Sequence, residues 1–180
     1  AGGRPPWHDG YGSRCEEAPV PLLAVFDSDA LFDGRQSDAA MAIRRGSARL
    51  LRDLGFAVLP EVTLRSGRRA DIVALGPEGE IWIVEIKSSV ADFQSDTKWP
   101  HYKSACDRFF FATSPEVGDI FPASEGLIIA DAFDADIARD AAPQRLSAQA
   151  RRALTLRLAQ IAARRLHEIE DPPPRGLGDL

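Results

Sequence analysis

Three ionisable residues near the middle of the chain, Asp71, Glu85 and Lys87, have types and a spacing that suit chemistry. Between the two acids lies the segment Gly-Pro-Glu-Gly-Glu, whose composition predicts a turn between two strands. A turn centred on Glu78 places Asp71 opposite Glu85, with their Cβ atoms about 4.5–5.5 Å apart. Because side chains alternate along a strand, Lys87 is expected on the same face as Glu85. The pattern therefore predicts two carboxylates and an ammonium group at one point.

Apolar residues surround these groups on both faces of the predicted hairpin. One face has Ile72, Ala74, Trp82, Val84 and Ile86, and the other has Val73, Leu75, Ile81 and Ile83. Facing carboxylates in such surroundings repel each other and lose hydration, so they need a cation between them or a retained proton. Oxygen ligands favour Mg²⁺ or Mn²⁺ over zinc. Because the protein supplies only a few ligands, coordination positions stay open for water and a phosphate.

A bound divalent ion would polarise a phosphodiester and lower the pKa of a bound water, while Lys87 would hold that water or neutralise developing charge. The structural alternative is an ion pair between Glu85 and Lys87 at a strand end, with Asp71 paired to Arg69 or solvent. An acid and a lysine separated by one residue are weak evidence by themselves. The facing acids within apolar strands favour the chemical interpretation.

The elements that must position these groups follow from periodicity and from helix and turn signals. A helix is predicted from Ser37 to a stop at Gly55, and Ser89 with Asp92 resembles a capping box that opens a helix to about Asp107, which Pro100 must kink or divide. The predicted strands are 56–64, 70–75, 81–87, 108–113 and 126–130, and a last helix spans 147–168. This order predicts a single mixed α/β layer structure, with a mixed central sheet flanked by helices.

The ends of the chain have a different composition. Residues 1–36 are rich in Gly, Pro and acids without a sustained period, which predicts a poorly ordered arm; Leu22 to Phe26 could add an edge strand. Residues 171–180 begin with Asp-Pro-Pro-Pro, which ends the last helix and predicts a flexible tail. The folded domain is therefore expected at 37–170.

Bulk composition limits the classes of partner. The formal net charge of −5 excludes a general basic coat, so any DNA contact must be a local patch. Cys15 and Cys106 have neither a second nearby cysteine nor adjacent histidines, so neither a disulfide framework nor a zinc site is indicated. The longest apolar runs are too short for a membrane helix, and we expect a cytoplasmic protein with no membrane partner.

Candidate nucleic-acid contacts lie near the acids in sequence. Residues 43–69 contain seven arginines against two acids, and Arg65, Arg68 and Arg69 around a predicted turn are the best phosphate contacts. Ser88 and Ser89 at a helix N-terminus suit a phosphate; ordinary capping is the favoured explanation for Ser89, and the two roles are compatible. Lys98 is a further candidate, as a cation. Trp99 and Tyr102 are candidates for base platforms, although a core position is the favoured interpretation for both rings.

The stretch RRADIVALGPEGEIWIVEIKSSVADFQSDTKWPHYKSACDRFFFA, residues 68–112, with GLIIADA at 126–132, resembles the MmcB-like family of bacterial DNA repair proteins. The likeness extends over roughly 40–168, and the position of Asp71 before Glu85-Ile86-Lys87 resembles the PD-(D/E)XK nuclease superfamily. The resemblance implies a restriction-endonuclease-like core and a DNA-repair role. It also implies metal ligation by Asp71, Glu85 and the Ile86 carbonyl, with Lys87 as the catalytic lysine.

One feature departs from the superfamily pattern, in which the first helix often contributes a glutamate to the metal site. This helix offers only Asp38 and Asp53 near its ends, so either Glu61 replaces the missing acid or the metal binds weakly. We therefore expect a DNA repair protein that is a metal-dependent deoxyribonuclease, endonuclease or exonuclease, using Mg²⁺ or Mn²⁺. The alternative is a nuclease-like fold that binds DNA or recruits other repair proteins with little turnover.

Overall fold

A computed structural model describes residues 37–172 of the chain. The predicted arm at 1–36, with its candidate strand at Leu22 to Phe26, and Cys15 lie outside the described residues, as does the predicted tail from 173 onward. The boundaries of the arm and the tail therefore stay predictions.

The described residues form three α-helices, one 3₁₀ helix and six strands. Their bounds are α1 Asp38–Asp53, β1 Ala57–Thr63, β2 Arg69–Leu75, β3 Ile81–Ile86, α2 Val90–Ser95, the 3₁₀ helix Trp99–Ala105, β4 Arg108–Thr113, β5 Gly126–Ala130, β6 Ala135–Arg139 and α3 Ala148–Glu170. No helix among these described residues is long and apolar enough to cross a membrane.

The six strands form one open mixed sheet in the order β1-β2-β3-β4-β5-β6. Strands β1, β2 and β3 pair antiparallel, β3, β4 and β5 pair parallel, and β6 returns antiparallel to β5. This mixed α/β architecture confirms the predicted fold class and is consistent with a restriction-endonuclease-like core.

The turn between β2 and β3 sets the register of the hairpin. The Gly76 N–H donates to the Glu80 carbonyl at 2.8 Å, and Gly79 has a φ of 84°, a conformation that favours glycine. The resulting pairs include Val73 with Ile83 and Leu75 with Ile81, which are the pairs that the sequence predicts. A shift by one residue would turn every apolar side chain of this hairpin to the opposite face.

Each face of the sheet is covered by its own helices. On one face, Ile43 and Leu51 of α1 pack against a cluster that includes Ile72, Val84 and Phe110. On the other face, the 3₁₀ helix and α3 pack against a second cluster, which includes Val73, Ile83, Phe109 and Phe111. Because both faces of β2, β3 and β4 are covered, these strands are almost entirely buried.

Helix termini follow the predicted signals in most places. The Ser37 and Ser147 hydroxyls cap α1 and α3 by accepting the N–H groups of Ala40 and Ala150. The predicted helix at 89–107 is divided, as Pro100 requires: α2 ends at Ser95, and Pro100 lies in the first turn of the 3₁₀ helix. Strand β6 was not predicted from the sequence.

Asp107 joins α3 to the sheet. Its carboxylate accepts hydrogen bonds from the main-chain N–H groups of Ile81, at 2.7 Å, and Leu146, at 3.2 Å. It also accepts two bonds from the Arg151 guanidinium, both at 2.7 Å. Burial raises the pKa of the Asp107 carboxyl, but the bonds from Arg151, Ile81 and Leu146 outweigh burial and hold this pKa below its ordinary value of 3.8.

We expect Asp107→Ala to lower the free energy of unfolding by about 2–4 kcal/mol, because two buried N–H groups and a guanidinium lose their acceptor. Urea denaturation at neutral pH measures this loss. Asp136→Ala, at an exposed position on β6, is the control and should change stability by less than about 0.5 kcal/mol.

The difference in stability between the natural protein and Asp107→Ala should depend on pH. Because the folded-state pKa of Asp107 is lowered, its stabilising contribution is complete above 3.8 and disappears as the pH falls through the lower folded value. The stability gap between the natural protein and Asp107→Ala should therefore narrow in acid. A gap that is constant from neutral to acidic pH would contradict this role for the carboxylate.

Candidate functional site

Asp71 and Glu85 lie where β2 and β3 cease to exchange main-chain hydrogen bonds. The paired residues extend to Ile72 with Val84, and the next pair in the same register is Asp71 with Glu85. There the Asp71 N–H donates to Glu85 Oε1 at 3.3 Å, and the Ile86 N–H donates to Asp71 Oδ2 at 2.8 Å. The carboxylates thus take the place of main-chain carbonyls, and the structure brings the two acids together as the register predicts.

Both carboxylates are poorly hydrated. Glu85 is 4% exposed, and its burial raises the pKa of this carboxyl well above the ordinary value, an effect that the charge of Asp71 increases. Burial likewise raises the pKa of Asp71, although the Ile86 N–H and Lys87 oppose the shift. Two acids whose pKa values are both raised therefore lie beside each other, which is the electrostatic condition that a bound cation relieves.

Lys87 is the ammonium group of the site, and it is 5% exposed. Its Nζ lies 2.6 Å from Asp96 Oδ2 and 4.0 Å from Asp92 Oδ1. Burial would lower the pKa of Lys87, but the Asp96 bond and the charges of Asp96, Asp92 and Glu85 outweigh it and leave this pKa raised. Lys87 is therefore held as a cation rather than as a neutral amine.

Asp92 and Asp96 were not predicted as site residues. The sequence indicated Asp92 only as part of a capping box, and Asp96 was not singled out. No signal in the sequence indicated the contact of Asp96 with Lys87, because Asp96 is an extended residue just beyond the end of α2 and its placement depends on the path of the following chain. Asp96 caps the end of α2, and its Oδ1 accepts the Lys98 N–H at 2.7 Å, so its carboxylate is fixed from both sides.

Ser88 and Ser89 connect Lys87 to α2. The Ser89 hydroxyl accepts the Asp92 N–H at 3.1 Å, which is the capping role that the sequence favours, and the Asp92 carboxylate accepts the Ser88 N–H at 3.2 Å. These bonds secure the short helix that supplies Asp92 and Asp96. A phosphate contact at either serine stays a prediction.

Glu61 was the candidate replacement for the missing helix glutamate. It lies on β1 opposite Asp71, with a φ of 49°, and its carboxylate is 3.2 Å from Arg44 Nη1 and 3.5 Å from Arg69 Nη1. These two arginines supply the positive charge that a metal would otherwise supply. Within residues 37–172, no group of three or more His, Cys, Asp or Glu is placed to hold a metal ion. Ligation by Glu61 or by the Ile86 carbonyl stays a prediction.

The other predicted nucleic-acid contacts are basic residues and two aromatic residues. Arg65 and Arg69 are exposed around the turn between β1 and β2, where Gly67 has a φ of 79°, and Arg68 is half-buried there. This turn precedes Asp71 by a few residues, so it lies at the same edge of the sheet. Lys98 is exposed. The roles of these residues in DNA binding stay predictions.

Trp99 and Tyr102 occupy core positions, the interpretation that the sequence favours. The Trp99 ring stacks on Phe109 at 5.7 Å between centroids and meets Phe111 edge-on at 5.2 Å. Tyr102 is buried, and its hydroxyl donates to the Arg69 carbonyl at 2.8 Å. Both rings therefore support the strands that position the acids.

Comparisons with known proteins agree with this architecture. The chain matches, over residues 27–173, the family described as DNA repair protein MmcB-like. It is 44% identical to the SPO1766 protein of unknown function from Silicibacter pomeroyi, whose solved structure it matches with a TM-score of 0.73 over 80% of this chain and 99% of that chain. Among curated proteins, none matches the chain. The family match spans well over half of the sequence, and the chain belongs to the MmcB-like family of DNA repair proteins.

Proposed function

We propose that this DNA repair protein is a metal-dependent deoxyribonuclease, with Asp71 and Glu85 as metal ligands and Lys87 as the catalytic cation. The observation that supports the proposal is the pair of facing carboxylates at the end of a hairpin, with Glu85 buried and Asp71 half-buried, beside a lysine held as an ammonium group. Main-chain N–H groups and Lys87 offset part of the cost of burying these acids, but a purely structural role gives no reason to place two carboxylates side by side.

The donor set fits a hard divalent cation. Each carboxylate uses one oxygen for a main-chain N–H, Oδ2 in Asp71 and Oε1 in Glu85, so the second oxygen of each is suited to a metal. Magnesium typically keeps several waters and takes only one or two carboxylates from the protein. Two acids without a third are therefore sufficient for Mg²⁺ or Mn²⁺.

When bound, the ion would polarise the scissile phosphodiester and lower the pKa of a water molecule. The protein's own residues supply orientation and charge. The main-chain N–H groups of Asp71 and Ile86 fix the two carboxylates, and Asp96 fixes the Lys87 ammonium near them. Because the pKa of Lys87 is raised, we infer that Lys87 stabilises negative charge on the phosphate in the transition state rather than accepting a proton from water.

The second candidate function is a nuclease-like module that binds DNA or recruits repair proteins without turnover. It is favoured by Glu61, whose carboxylate is engaged by Arg44 and Arg69, and by the absence of a glutamate from α1. The two functions differ in whether the acids and Lys87 are needed for a chemical step, and the following experiments distinguish them.

We expect the purified protein to cleave labelled single-stranded, nicked, flapped or mismatched DNA in Mg²⁺ or Mn²⁺. Asp71→Asn, Glu85→Gln and Lys87→Ala should each lower the cleavage rate by on the order of a hundredfold or more, since each removes a charge that acts in the transition state. The measurement is single-turnover cleavage resolved on a denaturing gel.

Glu78→Gln is the matched control, because Glu78 is an exposed acid at the opposite end of the same hairpin. Its cleavage rate should equal that of the natural protein. DNA binding that persists in all four variants, with no cleavage by any of them or by the natural protein, would instead establish the recruiting module.

Metal binding should appear as a change in stability. Mn²⁺ at a hundred times its Kd should raise the free energy of unfolding by about 2.7 kcal/mol, and Glu85→Gln should remove this increase. Urea denaturation across a Mn²⁺ titration measures both effects. An equal increase in Glu85→Gln would show that the ion binds elsewhere.

Without a divalent cation, the pH dependence should have a defined sign. Because the folded-state pKa of Glu85 is raised, proton uptake supplies stability that is complete below the ordinary value of 4.5 and is lost as the pH rises through the folded value. The stability of the natural protein relative to Glu85→Gln should therefore fall as the pH rises toward neutrality. Saturating Mn²⁺ should abolish this fall.

Asp96 should act as a positioning residue for Lys87. Asp96→Asn replaces an ion pair of 2.6 Å with a bond from the ammonium to a neutral amide, so we expect kcat to fall about 10- to 100-fold with little change in KM or in the Mn²⁺-induced stabilisation. Asp92→Asn is the matched comparison, because Asp92 is 4.0 Å from the same Nζ and is 43% exposed at its side chain. Its effect should be clearly smaller, and equal losses would contradict the role of Asp96.

A further inference from the structure

The turn between β5 and β6, residues 131–134, presents an aromatic ring to solvent. Phe133 is 80% exposed, more than any other large hydrophobic residue in the described part of the chain. Single apolar side chains on a protein surface are common, so exposure alone does not indicate a function. The informative feature is how firmly the backbone beneath this ring is held.

Three sets of contacts fix the Phe133 turn. Asp131 Oδ1 accepts the N–H groups of Phe133, at 2.6 Å, and Asp134, at 2.8 Å. The Asp131 N–H donates to the Asp134 carbonyl at 3.0 Å, and Arg49 Nη1 from α1 donates to the carbonyls of Ala132 and Phe133, both at 3.0 Å. The ring is therefore attached to an ordered turn, so contact with a ligand costs little backbone entropy.

Gly46 of α1 shows how closely the turn approaches the helix. A Cβ atom at this position would lie 2.3 Å from the Asp131 carbonyl oxygen and 2.6 Å from that of Asp134, distances that real contacts essentially never show. Only glycine permits this approach. The helix and the turn thus form one surface.

The Phe133 turn lies at the same edge of the sheet as the acids. Strands β3, β4 and β5 are parallel, and their register aligns Ile86 with Ala112 and Ala112 with Ile128. Lys87 lies one residue beyond Ile86, whereas the turn begins three residues beyond Ile128, so the turn starts about 7 Å further along the strand direction. Two strand spacings correspond to about 10 Å across the sheet. A short segment of one nucleic-acid strand can therefore reach both places.

Charge around the turn indicates how such a segment would lie. Arg45, Arg49 and Arg52 are exposed at intervals of four and three residues, which places them along one side of α1. Asp131 and Asp134 repel phosphates, but their carboxylates already accept main-chain N–H groups of Phe133 and Ala135. The phosphates would therefore follow the arginines of α1, and an uncharged base would contact the ring.

We propose that Phe133 is a stacking platform for an unpaired base of single-stranded DNA that crosses this edge of the sheet. The proposal rests on the proposed function for the identity of the ligand as DNA, and it specifies an unpaired strand rather than a closed duplex. A base inside a duplex is already stacked on its neighbours, so its face is not available to the ring.

The test is binding of fluorescein-labelled oligo-dT, followed by anisotropy at fixed low salt in EDTA, where cleavage does not interfere. Phe133→Ala should weaken binding between about 5-fold and about 100-fold, the range of one lost base–aromatic stack. Phe133→Trp should retain the affinity, because it retains an aromatic face. Leu156→Ala removes an exposed apolar side chain from α3 and should leave binding unchanged.

Three outcomes would overturn the proposal: oligo-dT affinity unchanged in Phe133→Ala, an equal loss in Leu156→Ala, or an equal loss for a blunt duplex of the same length. Unchanged affinity would point to a protein that docks on the ring instead. Failure of the proposed nuclease function is distinguishable, since cleavage in Mn²⁺ would then be absent while the dependence of oligo-dT binding on Phe133 persists.

Discussion

Two carboxylates replace main-chain acceptors where β2 and β3 diverge, and the rest of the site depends on this exchange. Asp71 and Glu85 each accept an N–H from the opposite strand, which satisfies the backbone groups that the ladder no longer pairs. The same bonds hold both acids inward, where burial favours their protonated forms. The main-chain N–H groups of the hairpin thus gain hydrogen-bond acceptors, but two carboxylates are brought close together in a poorly hydrated place. A nearby positive charge must offset their repulsion.

That positive charge is itself controlled by local structure. Lys87 follows β3 directly and precedes α2, a helix of six residues. Asp96, which caps the end of this helix, binds the Lys87 ammonium. A longer helix would have continued through Asp96 and directed its side chain according to helical geometry. Because the division near Pro100 instead ends α2 at Ser95, Asp96 follows as an extended cap residue, and the lysine stays charged and fixed beside the acids. The position at which α2 ends therefore determines the charge state and placement of Lys87.

How far the sequence predicts these features depends on whether local or tertiary forces determine them. The hairpin register was predictable because a short glycine-containing turn permits one pairing, which then fixes Asp71 opposite Glu85. The contact of Asp96 with Lys87 was not, since it requires the end of α2 and the path of the following chain. Strand β6 escaped prediction because its sequence, Ala-Asp-Ile-Ala-Arg, has weak strand propensity, and pairing with β5 stabilises it.

The distribution of arginines explains how an acidic chain can still offer DNA a local surface. Arg157 and Arg165 of α3 donate to main-chain carbonyls of β1, and Arg151 binds Asp107, so they attach this helix to the sheet. These side chains are structural, and a count of arginines overstates the charge that α3 offers to a ligand. The exposed arginines of α1 and of the turn between β1 and β2 instead flank the edge where the acids lie. Folding thus places these arginines near the acids, and in the proposed function they would attract phosphates while Asp71 and Glu85 hold a cation.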